Sequence, residues 1–222
     1  LVIGIIAHIP ILLGGLVLAY ILNSKLVKGQ NIFKTIYFMP MVTSAVAITI
    51  IFQNLFGFNY GIINYFVGLL GEAPVNWLGG DGKLIKVAVI IMFAWKWVGW
   101  NMVIYLAGLQ AVPTDCYEAA HIDGAGGCKV FWKITLPLMI GSVSINVLLC
   151  IIGGLKVFDL ILALTKGGPG MATQVLNTTI FSYFGSGALS TGCAANVMLT
   201  IFVIICFGLI KKIFGIWEAK TL

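Results

Sequence analysis

Long stretches of this chain carry almost no charge. Residues 1–22, 36–58, 87–109, 137–164 and 194–210 are apolar runs, each near the ~20 residues that cross a bilayer as a helix, with polar connectors between them. Inside hydrocarbon the backbone must satisfy its own N–H and C=O groups, which leaves helices or closed barrels. The runs are continuous rather than alternating, so helices are predicted: an all-α polytopic transmembrane bundle, one domain over residues 1–222 with five spans. Composition agrees, because 60% of residues are hydrophobic and only 9% are charged, against roughly 25% in a soluble domain. Such a chain is no soluble enzyme core, disordered regulator or secreted disulfide scaffold.

The first run opens at residue 1 without an initiator Met or a charged leader, so the native polypeptide is expected to start upstream, with a sixth helix there. His8 and Pro10 interrupt this run. They read as a kinked helix with an interfacial or helix-facing histidine, or as a proton relay. Net charge is +6, carried by 13 lysines and no arginine. The lysines flank the apolar runs, as cytoplasmic borders do, and nucleic-acid binding is not expected. If connector 23–34, loop 110–136 and tail 211–222 share a side, that side holds eight lysines, while Lys83, Lys86 and Lys166 lie opposite. The lysine-rich side, including the C-terminus, is therefore predicted to be cytoplasmic. Cys116, Cys128, Cys150, Cys193 and Cys206 contain no CxxC pair, so they read as small apolar residues, and neither a metal nor a cofactor is expected.

Between the spans, residues 62–70 form an apolar stretch too short to cross a bilayer and suited to its interface. The longest strongly polar stretch, 110–136, carries Asp115, Glu118, His121, Asp123, Lys129 and Lys133 around Gly124, Gly126 and Gly127. Pro113 can open a helix there, and Asp115 with Glu118 has capping-box spacing. The glycines supply a sharp turn, and a second short helix leads to Pro137, where the fourth span is predicted to begin. The product is a helix-turn-helix hairpin in water.

That hairpin carries a resemblance. Glu118-Ala119-Ala120, then Asp123-Gly124, then Ile134 and Leu136-Pro137 are spaced as in the EAA signature of the membrane-spanning permease subunits of binding-protein-dependent ABC importers. Tyr37-Phe38-Met39-Pro40, Tyr105-Leu106-Ala107-Gly108-Leu109, Val157-Phe158-Asp159-Leu160 and Leu164-Thr165-Lys166-Gly167-Gly168-Pro169 are similar to the carbohydrate and glycerol-phosphate branch of that family. The resemblance implies a multi-pass protein of a bacterial or archaeal cytoplasmic membrane that forms half of a translocation path for a sugar or related polar solute. It further implies a separate cytoplasmic ATPase, a second and paralogous permease, and an extracytoplasmic solute-binding protein. Within the loop 110–137, Glu118 is then the charged anchor on the ATPase, Ala119 and Ala120 the small contact surface, and Asp123-Gly124 the turn, with Ile134, Leu136 and Pro137 completing the signature. Consistent with ATP being hydrolysed elsewhere, no P-loop is present: Gly82-Lys83 has Trp77 where the first Gly belongs and Leu84 where Ser or Thr belongs.

Two helical faces are candidates for the solute path: Trp95, Val98, Gly99 and Met102 in span three, and Cys150, Gly153, Gly154 and Val157 in span four. Helix packing through small residues is the competing reading for each of them. Lys96 points away from the first face and reads as snorkelling or paired within the bundle. Lys156 and Asp159, three apart, are predicted to neutralise each other on one helix face, with solute binding as the other reading. Glycerol phosphate, polyamines and amino acids remain alternative solutes. An intramembrane enzyme would need a catalytic dyad within the spans, where only Asp159 is acidic. A non-transporting scaffold would show no solute-dependent stimulation of a partner ATPase.

Overall fold

A computed structural model describes residues 2–24, 27–80 and 82–221, so Leu1 and Lys25 of the first run and connector lie outside the described residues. Every regular element among the described residues is helical. The chain begins with α1 (Val2–Ile6) and α2 (His8–Asn23), which together give the membrane-length segment Ile3–Asn23. Their junction lies at Ala7. Pro10 has no N–H to offer the Ile6 carbonyl, which weakens the helix at that point, and His8 Nδ1 bonds the Gly4 carbonyl across the junction.

The second apolar run is not one helix. It folds as α3 (Gln30–Val42) and α4 (Ala45–Phe56), bent by 99° at Thr43–Ser44. Pro40 removes one hydrogen bond from the last turn of α3, and Thr43 and Ser44 then take extended ψ values of 140° and 146°. Ser44 restarts the helix as an N-cap, its Oγ accepting from Ala47 N at 3.2 Å. The short α5 (Ile62–Leu69) follows, anchored by Asn64, which bonds the backbone at Gly57, Phe58 and Val75 and accepts from Trp77 Nε1.

The axis of the bundle is α6 (Lys83–Gln110), 28 residues long, against which α2, α3 and α10 (Ile140–Leu155) pack. Before α10 come the hairpin helices α7 (Thr114–Ile122) and α8 (Gly127–Val130), a π-helical turn at Phe131–Thr135, and α9 (Leu136–Leu138). The fourth span therefore does not begin at Pro137. The helical path Gly127–Leu138 runs through Pro137 and bends by 72° into Ile140–Leu155. A proline clashes with the carbonyl four residues back, here that of Lys133 inside the widened π turn Phe131–Thr135, which accommodates the ring.

Nor does that span reach residue 164. It stops at Leu155, and a separate α11 (Asp159–Thr165) begins three residues after Lys156. The remaining helices are α12 (Leu176–Gly185) and α13 (Leu189–Thr221). Among the described residues, three helices are thus long and apolar enough to cross a membrane, or up to five if each bent pair counts as one span.

Buried side chains gather around α6. Ile11, Ile48, Phe52, Val89, Met92, Leu160 and Ile161 form one cluster, and Ala19, Leu22, Met102, Leu106, Leu109 and Met139 form another. By contrast, α13 packs on α10 and α12 and turns Val197, Met198, Ile201, Ile204 and Ile205 outward. An apolar outer surface of this kind matches lipid rather than water.

Candidate functional site

Two regions bring the predicted residues together: the hairpin and a cavity inside the bundle. The hairpin helix α7 starts at Thr114, with Pro113 in the N-cap position and no side-chain cap, so Asp115 and Glu118 do not form the capping box that their spacing suggests. Pro113 takes the N-cap place, which shifts Asp115 into the first turn, where its charge suits the helix dipole. The turn itself is closed by the backbone. Ala125 N donates to the Ala120 carbonyl at 2.9 Å and Gly124 N to the His121 carbonyl at 3.1 Å, a Schellman arrangement with Gly124 at φ +67°.

Glu118, Ala119 and Asp123 are exposed, whereas Ala120 is buried. Ile134, Leu136 and Pro137 are half-buried on the returning segment. Thr135, buried between them, places its hydroxyl 3.3 Å from Tyr117 Oη, tying the two arms together. Tyr20 meets Phe131 edge-on at 5.5 Å, which fixes the hairpin to the end of α2. The sequence reading missed Ile122, which is 86% exposed four residues after Glu118, and Trp132, 62% exposed on the other arm. Their signal was available as large apolar residues in an otherwise polar loop.

Between α3, α6, α10 and α11 lies a cavity of about 380 Å³. One wall is aromatic: Phe93, Trp97 and Trp100 project from α6, and Phe38 of α3 supports Trp100 with a centroid distance of 6.0 Å. Cys150, Gly153 and Val157 face it from α10 and the segment after it, while His8, Asn101, Lys156 and Asp159 add polar groups. Asn101 is held by its neighbours: its Nδ2 donates to the Trp97 carbonyl at 3.0 Å and its Oδ1 accepts from Cys150 Sγ at 3.3 Å. Asn146 Nδ2 donates to the Asn101 carbonyl at 3.3 Å, and its own Oδ1 is buried without a partner among the described residues.

Of the first predicted face, none of the four residues lines this cavity. Trp95 packs on Phe52 at 5.7 Å, and Met102 is fully buried in the second core cluster. Val98 lies against Gly14, and a Cβ on Gly99 would overlap the Tyr37 carbonyl, so Gly99 is where α3 and α6 touch. Of the second face, Cys150, Gly153 and Val157 reach the cavity, but Gly154 sits backbone to backbone against Gly4 of α1. Phe93, Trp97, Trp100 and Asn101 are spaced at i, i+4, i+7 and i+8, a helical face as regular as the one chosen. Periodicity defines faces but does not say which one meets a neighbouring helix.

Of the charged-residue expectations, the shared face of Lys156 and Asp159 is corrected, and of the two readings of Lys96 the structure has pairing within the bundle. Lys156 and Asp159 do not share a helix face, because α10 ends at Leu155 with Lys156 at its C-cap and Asp159 opens α11. There Asp159 Oδ1 accepts from Leu160 N at 2.9 Å. Lys96 does not snorkel: it is 5% exposed, and its Nζ donates to the Thr43 carbonyl at 2.9 Å.

Residues 11–216 match the family described as "Binding-protein-dependent transport system inner membrane component". The chain is 36% identical over 190 residues to the trehalose/maltose transport system permease protein MalF of Thermococcus litoralis, covering 86% of this chain and 64% of that one. It is 34% identical over 186 residues to the lactose transport system permease protein LacF of Rhizobium radiobacter, covering 82% and 61%. With the arabinooligosaccharides transport system permease protein AraP of Bacillus subtilis it shares 35% identity over 209 residues, covering 92% and 66%. The matched region thus spans somewhat less than two thirds of each of these relatives. Its fold matches a chain of a bacterial ABC transporter involved in the import of the acidic polysaccharide alginate, with a TM-score of 0.86 at 20% identity, over 96% of this chain and 76% of that one.

Proposed function

Since the chain belongs to the family of binding-protein-dependent transport system inner membrane components, we propose that it is a multi-pass permease subunit forming half of a path for a sugar or related polar solute. The observation that carries this reading is the cavity between α3, α6, α10 and α11. Three aromatic rings on one wall suit the apolar faces of a sugar ring, and the polar groups around them suit its hydroxyls. Relatives named for trehalose/maltose, lactose and arabinooligosaccharide transport support the same solute class.

In this reading the hairpin is the docking element for a cytoplasmic ATPase subunit that supplies the energy. Glu118 offers the charge, Ala119 the close approach and Ile122 an apolar knob, all on the exposed side of α7. Its arms continue into α6 and α10, so a push on the hairpin becomes rocking of the two helices that wall the cavity. The hairpin and the C-terminus lie on the lysine-rich, cytoplasmic side. A second, paralogous permease completes the path, and an extracytoplasmic binding protein delivers the solute.

The test is uptake by the permease reconstituted with its partner subunits. Trp97→Ala and Trp100→Ala each remove an aromatic contact and are expected to raise the KM for sugar about tenfold, while Trp95→Ala leaves it within about twofold. An unaltered KM in both cavity variants would reject the solute path. Glu118→Lys is expected to abolish solute-stimulated ATP hydrolysis with membrane insertion intact, and full stimulation in that variant would reject the docking role.

A further inference from the structure

The interrupted span is closed by a side chain from another helix. At the break, Thr43 N donates to the Pro40 carbonyl at 3.3 Å and Thr43 Oγ1 to the Met39 carbonyl at 3.0 Å, so the last turn of α3 caps part of itself. The Thr43 carbonyl has no such local partner and receives Lys96 Nζ at 2.9 Å, across 53 positions of sequence. Non-helical backbone at membrane depth persists only where protein or a water-filled cavity satisfies it. A lysine in that environment needs carbonyls or a counter-charge in turn.

The pairing answers both demands, and the C-terminal end of a helix also carries partial negative charge that favours a cation. Lys96 Nζ further lies 5.8 Å from the Trp97 ring centroid. The joint sits where α3 packs on α6 and α4 packs on α11.

We infer that Lys96 is a positioning residue for solute passage: its ammonium clamps the interrupted span at Thr43 and thereby fixes the cavity wall to which Met41 belongs. The break divides that span into α3, packed on α6, and α4, packed on α11. Met41 lines the cavity two residues before the clamped carbonyl, and Trp97 lines it one residue after the lysine. With the clamp in place, displacement of α6 is passed to the joint instead of being absorbed by it. Lys96 itself does not line the cavity, so its effect falls on the rate of passage and not on recognition.

The inference rests on the transport reading for its uptake measurement and is independent of it for its structural one. Lys96→Met, Lys96→Gln and Lys96→Arg are compared with wild type in the complete transporter. Lys96→Met is expected to lower the maximal uptake rate about tenfold with KM within about twofold; Lys96→Gln keeps a shorter N–H donor and falls between, and Lys96→Arg restores at least about half of the rate. Hydrogen exchange of the amides at residues 43–50 is expected to run about fivefold faster in Lys96→Met and near wild type in Lys96→Arg. Unchanged exchange together with a wild-type maximal rate in Lys96→Met overturns the clamp. A raised KM at an unchanged maximal rate also overturns it, because that marks direct solute contact. If wild type takes up no sugar at all, the transport reading fails, and the exchange comparison still decides the clamp.

Discussion

The helix path reverses or bends sharply at Gly124 and at Thr43–Ser44, and the two sites solve the same problem by different means. At Gly124 the terminal carbonyls of α7 are taken by backbone amides three and five residues further on, and glycine supplies the positive φ this requires. At Thr43 the local groups suffice for two carbonyls, and the third depends on Lys96, from a helix that begins forty residues later. A turn exposed to water can be written in six consecutive residues, 120–125 here. At Thr43–Ser44 the local donors stop short of the last carbonyl, so the tertiary fold finishes the job.

Four substitutions test that contrast. The largest effect is expected at the contact that holds α3 to α6: Gly99→Val drives a branched side chain into the Tyr37 carbonyl, and about 3 kcal/mol of destabilisation should appear as loss of folded protein in a detergent thermal-shift assay. A wild-type melting profile would mean that the break does not rely on this close approach. Next is Gly124→Val, where a branched residue at φ +67° costs about 1–2 kcal/mol locally. The expected signature is faster proteolysis confined to the hairpin, with the bundle unaffected; spread of cleavage into the spans would show that the turn is not self-contained.

Ser44→Ala removes the N-cap of α4 and should cost about 1 kcal/mol, visible as faster exchange at Ala47 without a change at Gly124. The smallest effect is expected from Thr43→Val, which deletes the hydroxyl bond to Met39 but keeps the clamped carbonyl. About 0.5–1 kcal/mol is at stake, and a larger loss would mean that the local bonds, not Lys96, hold the joint.

Much of this was legible from residues alone. The hairpin was readable because its determinants are near neighbours: Pro113 before the helix, Gly124 after it, and a polar run too rich in charge to enter lipid. The capping box was not, since Pro113 occupies the position that Asp115 would have needed. Spans two and four read as continuous because hydropathy registers the transfer cost of side chains, which a kink hardly alters. Pro40 and Pro137 hinted at irregularity, yet whether proline bends a helix depends on what meets the freed carbonyl. The face chosen on span three differs from the one that lines the cavity for a related reason: Gly99 has the look of a gap left for a ligand, and the gap is filled by the backbone of α3.

The sequence by itself determined the all-helical class, the number of apolar runs and the self-closing turn at Gly124, because each follows from transfer free energy or from bonds between close neighbours. Only the tertiary structure decided which face of α6 looks into the cavity, where the second and fourth runs break, and that Lys96 answers the Thr43 carbonyl. Those depend on groups far apart in the chain arriving at hydrogen-bond distance, and no local pattern encodes that distance.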